Sequence, residues 1–333
     1  MLKPWLKSGK LPPGGVLMNR HDSYMHNKMN RRTFIKNAGL ITAVFYAMPA
    51  RMAVCRKGVQ EKLMLLRYDT EWWGEPAEMA GFLEKLVKVH RQDEIPVTMF
   101  CRGFTLENMK LEFTAFHQET ADDPLFDMQD HSYSHVGLGY ERGKPVDILE
   151  ADYERSFQIH SEIFGRRPTG IAICGTSDDG PFLPGFDATE KSKAEFEMVV
   201  KLGTRMINSN LSGIDGSREF INYKLLGHPE VMGFVSGYSD TAWMYRKEYG
   251  DPVEYMLKEV RTRSEQNEHM PVMFHDWVAW QKAPDKELSH VREIAETGRK
   301  LGYTLVTHLD CYHNKQLWQK ASNHMSWFPV QKD

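Results

Sequence analysis

The chain contains 333 residues, which is enough for one large α/β domain or two small ones. Hydrophobic residues make up 41% of it and charged residues 26%, an ordinary balance for a soluble globular protein. The formal net charge of −3 argues against a nucleic acid or an anionic membrane surface as partner, so we expect neither.

Residues 1–57 are predicted to form a leader that precedes the folded domain. Residues 1–28 show no periodicity and are expected to be disordered. Residues 30–36 read NRRTFIK and are followed by a modestly apolar stretch at 38–50, an order that resembles the twin-arginine export signal. The resemblance implies a periplasmic or extracellular protein. The apolar stretch is shorter than the roughly 20 residues of a bilayer span. Cleavage, lipidation and retention as an anchor stay open, and a basic patch before a core helix is the alternative.

A regular alternation of strands and helices is predicted from residue 62 onward. Apolar runs of strand length lie at 62–68, 96–101, 126–129, 169–174, 205–208, 230–235, 271–275 and 303–307. Stretches with helical periodicity lie at 77–91, 106–119, 147–164, 190–202, 252–265 and 286–301. The tail beyond Cys311 is expected to be irregular. The alternation predicts an α/β fold in which helices cover parallel strands.

Right-handed crossover connections between parallel strands lead either to a barrel or to a doubly wound sheet. Both architectures are therefore compatible with this alternation. No glycine-rich dinucleotide or phosphate loop is visible, so a nucleotide site is not expected. No linker-like stretch occurs between residues 60 and 320, and we therefore expect a single domain over residues 58–333. The four cysteines lack the spacing of a zinc ribbon or a redox pair and are expected to be mostly buried free thiols.

Polar residues follow several predicted strands at the point where each strand ends. They are Asp69, Glu71, Arg102, His131, His135, residues 175–179, residues 208–210 and His275. In a barrel of parallel strands these ends converge on one mouth. The sequence therefore predicts a functional site at that mouth.

Four of these residues form a candidate metal site. Asp69 and Glu71 are two apart, so both face the same side if the strand persists. His131 and His135 share a face if the turn after their strand is helical. Two imidazoles and one carboxylate leave a position for water, as in catalytic zinc sites, and the second carboxylate can take a proton from that water. The alternative is that the two histidines are exposed turn residues without a ligand.

These motifs resemble those of the NodB-type polysaccharide deacetylases, in the peptidoglycan deacetylase and allantoinase-like branch. The similarity covers most of residues 62–307 and is carried by residues 69–71, 96–103, 131–135, 202–211 and 272–275. It implies a distorted (β/α)7 barrel and a divalent metal, with zinc as the first choice. By this resemblance Glu71, His131 and His135 are the metal ligands. Asp69 is the general base, and His275 is the general acid.

One motif departs from the family pattern. Residues 165–175 resemble the third motif and its lead-in, but the motif arginine falls on Ala172 and its second proline on Cys174. That arginine normally pairs with the base carboxylate and orients it. A rival alignment places Arg167 on the arginine. We expect Arg102 to replace the missing cation, although its loss is also compatible with altered catalysis.

The resemblance also implies how a substrate would be held. A backbone N–H near Gly175 would stabilise the oxyanion, and Asp240 is a candidate to orient His275. Trp72, Trp73 and Trp277 follow the catalytic motifs, and aromatic faces at a barrel mouth suit sugar rings.

The activity that we expect is the removal of an acetyl group from an N-acetyl or O-acetyl sugar in an extracytoplasmic glycan. Hydrolysis of a small cyclic amide and non-catalytic glycan binding are the alternatives.

Overall fold

The sheet is built around its first strand, which is buried on both faces. The computed structural model describes residues 61–323, apart from 73, 139–143, 175–189, 210–219, 236–237, 241–250, 283–284 and 319. The predicted leader, residues 1–57, lies outside the described residues and stays a prediction. Among the described residues, no helix has both the length and the apolar character needed to span a membrane.

The strands follow the predicted order with additions. They are β1 (Lys62–Thr70), β2 (Val97–Cys101), β3 (Phe126–Asp130), β4 (Gly170–Ala172), β5 (Met206–Ser209), β6 (Phe220–Tyr223), β7 (His228–Val235), β8 (Tyr238–Ser239), β9 (Met270–His275), β10 (Tyr303–Val306) and β11 (Ser322–Asn323). The helices are α1 (Pro76–Gln92), α2 (Gly103–Asn108), α3 (Lys110–Thr120), α4 (Val146–Phe164), α5 (Glu190–Lys201), α6 (Pro252–Glu265), α7 (Asp276–Gln281), α8 (Ser289–Lys300), α9 (His308–His313) and α10 (Lys315–Trp318).

The strands form one curled sheet in the order β11-β6-β7-β5-β4-β3-β2-β1-β9-β8, and β10 also pairs with β1. Among the described strands the one antiparallel pair is β6 with β7. Helices on the outer face and parallel strands within give a distorted (β/α) barrel, so the predicted fold class is confirmed. The sequence pattern missed the short strand β6, which returns beside β7 as a hairpin rather than through a helix.

Two helical predictions needed correction. The helix predicted over 106–119 is two helices, because the backbone leaves helical geometry at Met109 (φ −113°, ψ 34°) while the apolar spacing continues across the break. The tail beyond Cys311 is not irregular over its described residues, since it contains the end of α9, the helix α10 and the strand β11. A reciprocal capping box between Thr307 and Asp310 begins α9, and that signature is visible in the sequence.

The alternation of side chains along β1 separates two apolar clusters. Met64, Leu66 and Tyr68 pack with the outer helices. Leu63 and Leu65 point the other way, into the barrel interior, where they pack against residues of β5 and β7. Because side chains alternate along a strand, the next residues on the interior face are 67, 69 and 71. The apolar interior thus gives way to charged residues at the C-terminal end of β1.

Candidate metal centre and catalytic site

Three charged residues follow one another at the end of β1: Arg67 and Asp69 on its interior face, and Glu71 directly after the strand. Arg67 and Asp69 are each 4% exposed. The Nη2 atom of Arg67 lies 3.0 Å from Oδ2 of Asp69, so the guanidinium neutralises this carboxylate inside the barrel. The second oxygen, Oδ1 of Asp69, is buried and has no hydrogen-bond partner among the described residues. Asp69 therefore presents one anchored oxygen and one available acceptor.

Arg67 takes the position that the sequence analysis had assigned to Arg102. The side chain of Arg102 instead lies within 3.4 and 3.5 Å of the carbonyl oxygens of Tyr133 and Ser134. Arg67 also donates to Asn208 Oδ1, and Asn208 Nδ2 lies 2.8 Å from His308 Nε2. The cation beside Asp69 thus comes from the same strand, two residues earlier. Alternation along β1 could have revealed it, because residues 67 and 69 share a face.

Ala172, which stands where the family motif has its arginine, contributes its backbone. Its carbonyl oxygen lies 2.9 Å from Nδ1 of His131 and accepts the N–H hydrogen there. A hydrogen bond of this kind fixes the ring and leaves Nε2 free to bind a metal. The alignment that places Ala172 on the motif arginine is supported, because the rival candidate Arg167 forms an exposed ion pair with Glu154.

The three predicted metal ligands converge on one point. Oε1 of Glu71 lies 3.0 Å from Nε2 of His131 and 2.8 Å from Nε2 of His135. Burial disfavours the charge on Glu71, but the hydrogen bonds from both histidines hold its pKa well below the usual value. The structure brings these three side chains together as predicted, while their role as metal ligands stays a prediction.

The loop after β3 brings the histidines together by a route that the sequence analysis did not foresee. Ser132 (φ 56°) and His135 (φ 66°) both adopt the left-handed region, which costs a residue other than glycine about 1–3 kcal/mol. The expected helical turn is therefore wrong. Two residues with positive φ fold the loop back on itself and place the two imidazole ring centroids 5.1 Å apart.

One face of α4 holds this strained loop. Its polar residues recur at four-residue spacing, as Asp152, Ser156 and His160. Asp152 accepts hydrogen bonds from the backbone N–H groups of Tyr133 at 2.8 Å and Ser134 at 3.2 Å. Below them, the buried Asp130 accepts from Ser156 and lies 3.3 Å from Nε2 of His160. Asp130 also accepts from the backbone N–H of Ser132 at 2.7 Å, which stabilises the first left-handed residue.

The proposed general acid lies on the strand next to Asp69. His275 ends β9 and is the register partner of Asp69. Its Nδ1 atom and its backbone N–H both lie 2.7 Å from the carboxylate of Asp240, so the predicted orienting contact is confirmed. Burial acts to lower the pKa of His275, but the carboxylates of Asp240, Glu71 and Asp69 outweigh it and raise this pKa to about 9.

Asp276 is a site residue that the sequence analysis missed. It is fully buried at the first position of α7, and its carboxylate accepts backbone N–H groups of Glu71 and Trp72 at 3.0 Å each. It also accepts from Trp277 at 2.9 Å, and burial raises its pKa to about 7. Asp276 thereby ties the end of β1 to the start of α7. An acidic residue directly after a strand-end histidine, at the first position of a helix, was the available signal.

A fourth potential ligand, Cys174, lies beside the histidines. Its thiol, one nitrogen of His131 and one of His135 lie within 4.8 Å of one another. Burial alone would raise the pKa of the Cys174 thiol, but the two imidazoles lower it to about 6. Cys101, Cys174 and Cys311 are buried free thiols, as predicted.

The residues predicted to contact the substrate have different outcomes in the structure. Trp72 is 1% exposed and packs in the outer core, so the prediction that it lines the mouth is wrong. Trp277 is partly buried, and its ring centroid lies 6.4 Å from that of His275. Trp73 and Gly175 lie outside the described residues, and their predicted roles stay predictions. The buried position of Trp72 follows from Asp276, which draws its backbone inward.

The donor set fits a small divalent metal. In a tetrahedral zinc site with bonds of about 2.0–2.2 Å, ligand atoms lie roughly 3.3 Å apart, close to the separations between Glu71 and the two histidines. Carboxylate and imidazole donors suit zinc and comparable metals. The donor set is close to Asp69, since Nε2 of His131 is 4.0 Å from Oδ2 of that carboxylate.

No family model and no curated protein matches this sequence. Among solved structures, a candidate polysaccharide deacetylase from Mycobacterium smegmatis superposes with a TM-score of 0.58 at 13% identity, over 81% of this chain and 96% of that one. A CE4 esterase from Streptococcus mutans gives a TM-score of 0.48 at 14% identity, over 74% and 86%. A CE4 family pseudoenzyme from Bacillus anthracis gives 0.46 at 10% identity, over 76% and 66%. The first comparison shows that this chain has the distorted (β/α) barrel fold of the NodB-type polysaccharide deacetylases that its motifs resemble.

Proposed function

We propose that this protein is a metal-dependent hydrolase that removes acetyl groups from an N-acetyl or O-acetyl sugar in a glycan. The observation that carries the proposal is the arrangement around Asp69. Its Oδ2 is held by Arg67, its Oδ1 has no partner among the described residues, and the Glu71–His131–His135 cluster lies beside it. A carboxylate held in this way is suited to take a proton from a water molecule positioned by the metal centre.

Asp69 acts as the general base in this scheme. A bound divalent metal, zinc as the first choice, would polarise the acyl oxygen and make a nearby water molecule more acidic. Arg67 keeps one oxygen of Asp69 fixed and lowers the energetic cost of a buried negative charge. The other oxygen is left to accept the proton of the attacking water.

His275 acts as the general acid on the opposite side of the acyl group. Asp240 holds its Nδ1 atom and its backbone, so that Nε2 faces the site. The raised pKa of His275, about 9, keeps the ring protonated at neutral pH. It can therefore donate a proton to the leaving amine or alcohol, which is the requirement for a general acid.

The sugar would lie across the mouth near Trp277, whose ring is next to His275. Aromatic faces pack against the apolar faces of sugar rings.

The proposal extends to the location of the protein. Residues 30–36 favour export by a twin-arginine route, and an extracytoplasmic glycan is then the accessible substrate. Replacing Arg31 and Arg32 by lysine should retain the protein inside the cell, as measured by fractionation.

The test is acetate release by the zinc-loaded protein from acetylated oligosaccharides, with cyclic amides as competing substrates. We expect acetate from the oligosaccharides, and Asp69→Asn should lower kcat by about 10²–10⁴-fold without removing the metal. Equal turnover by the two proteins would refute the catalytic scheme. Turnover of cyclic amides alone would replace the substrate class, and binding of oligosaccharide without turnover by either protein would favour a glycan-binding role.

A further inference from the structure

Cys174 lies at the metal centre but has no place in the proposed reaction. It follows β4, whose Ala172 carbonyl holds the ring of His131, and residues 172 and 174 are two apart in an extended segment. The thiol is fully buried, and together with one nitrogen each of His131 and His135 it forms a group within 4.8 Å. Glu71 contacts the same two imidazoles. The two imidazoles therefore have Glu71 and Cys174 as neighbours, both of which can act as metal ligands.

We propose that Cys174 is a fourth protein ligand of the metal, which gives the centre a Glu-His-His-Cys donor set. The inference rests on the proposed metal centre but not on the proposed reaction. With four protein ligands, the water or acyl oxygen of that reaction would have to enter as a fifth ligand. In a zinc site with bonds of about 2.3 Å to sulfur and 2.0–2.1 Å to nitrogen, sulfur and nitrogen lie roughly 3.5 Å apart. The observed limit of 4.8 Å among the three ligand atoms means that the thiol would move towards the imidazoles when a metal binds.

The present contacts of the thiol are weak enough to be exchanged for a metal bond. Sγ of Cys174 lies 3.3 Å from the carbonyl oxygen of His131 and 3.5 Å from Oγ of Ser132. A thiol is a poor hydrogen-bond donor, so little is lost when it ionises and binds a cation. The imidazole of His131, in contrast, is already held by the Ala172 carbonyl.

The charges around the centre favour the same assignment. Asp69 is paired with Arg67, and Asp240 is paired with His275. Glu71 alone would leave a buried divalent cation with one uncompensated positive charge, and buried charges are costly unless they are compensated. A thiolate at Cys174 supplies the second negative charge.

A thiolate ligand also determines which metal binds. Sulfur donors favour zinc and similar soft or borderline ions, whereas magnesium, calcium and manganese prefer sites made of oxygen donors. We therefore expect this centre to discriminate strongly for zinc against manganese, and to do so because of Cys174. Two of its three other donors are imidazoles, which are less selective.

The test is a titration of the metal-free, full-length protein with Co²⁺ alone, followed by absorption spectroscopy. Wild type should show a near-ultraviolet thiolate-to-cobalt charge-transfer band in addition to visible d–d bands. Cys174→Ser should lose the charge-transfer band and keep the d–d bands, and its affinity for Zn²⁺ should fall more than about 100-fold, beyond the effect of removing an outer-shell partner. Cys311→Ser, which replaces another buried free thiol, is the matched control and should keep both bands.

The outcomes separate this inference from the proposed function. Cobalt bound to wild type without a charge-transfer band would overturn the thiolate ligand and leave a centre of one carboxylate and two imidazoles. Absence of any cobalt binding by wild type would overturn it as well. A charge-transfer band in a protein that releases no acetate would refute the proposed reaction and support the ligand. If Cys174→Ser fails to fold, the presence or absence of the charge-transfer band in wild type still tests whether a thiolate binds the metal.

Discussion

The two sides of the barrel mouth are built in different ways. On one side, Asp69 and His275 are register partners on adjacent strands, and each is held by one buried partner of opposite charge, Arg67 or Asp240. On the other side, His131 and His135 lie on a loop with two left-handed residues, and backbone N–H groups of this loop donate hydrogen bonds to Asp152 of α4. We refer to these as the strand side and the loop side.

The two sides therefore support proton transfer and metal binding by different means. On the strand side, proton transfer depends on the electrostatic environment of the acid and the base, which the buried ion pairs set. Metal binding on the loop side needs donor atoms at given positions, and a hydrogen-bonded loop provides it. Substitutions on the strand side should therefore change stability and proton affinity, whereas substitutions on the loop side should change metal affinity.

The largest effect is expected for Arg67→Ala on the strand side. It leaves Asp69 as a buried charge without its partner, so the free energy of unfolding should fall by about 3–5 kcal/mol. Urea denaturation measures this loss. The matched control is Arg167→Ala, which removes an exposed ion pair with Glu154 and should cost less than about 1 kcal/mol. Equal losses in the two variants would show that Arg67 does not have the role assigned to it.

On the loop side, Asp152→Ala should lower metal affinity by about 10–100-fold. The substitution removes the acceptor for the backbone N–H groups of Tyr133 and Ser134, so the left-handed loop loses its anchor to α4. Zinc affinity can be measured by competition with a chelating dye. Unchanged affinity would mean that the loop keeps its shape without α4, and the contrast between the two sides would fail.

The strand side should contribute a pH dependence of stability through the pair formed by His275 and Asp240. The pKa of His275 is about 9 in the folded chain against an ordinary value of 6.5. Because the folded value is the higher one, the pair with Asp240 contributes fully below pH 6.5 and loses its contribution as the pH rises through about 9. Asp240→Asn should reduce this loss, as measured by denaturation of the metal-free protein on either side of pH 9, since Asp240 is the largest of the charges that raise the pKa of His275. An unchanged pH profile would refute the assignment.

The smallest effect is expected for Ser134→Ala. This variant tests whether the side chain of Ser134, in addition to its backbone, anchors the loop to Asp152. The hydroxyl of Ser134 lies 2.5 Å from Asp152, but its backbone N–H keeps the same acceptor after the substitution. We expect a loss of about 0.5–1.5 kcal/mol in the free energy of unfolding, with zinc affinity much closer to wild type than in Asp152→Ala. A loss of affinity as large as in Asp152→Ala would place the anchor in the side chain of Ser134.

Much of the fold was predictable because periodicity reports directly on burial. The helix predicted over 252–265 has those bounds in the structure, and the principal strands were found within a few residues. The break at Met109 was missed because the apolar spacing continues across it, and β6 was missed because it is only four residues long. The capping box between Thr307 and Asp310 was visible in the sequence and indicates a helix that continues past Cys311, where an irregular tail was predicted.

The candidate site, like the fold, was predicted only in part from the sequence. The sequence by itself determined that Asp69, Glu71, His131, His135 and His275 would meet, because each follows a strand of one parallel sheet and strand ends converge. Only the tertiary structure decided which groups support them. The pairing of Asp69 with Arg67, the positive φ of Ser132 and the approach of Cys174 depend on distances between strands and on the contact with α4. Local patterns specify which way a side chain faces, but the partner that it meets there is set by packing between segments distant in sequence.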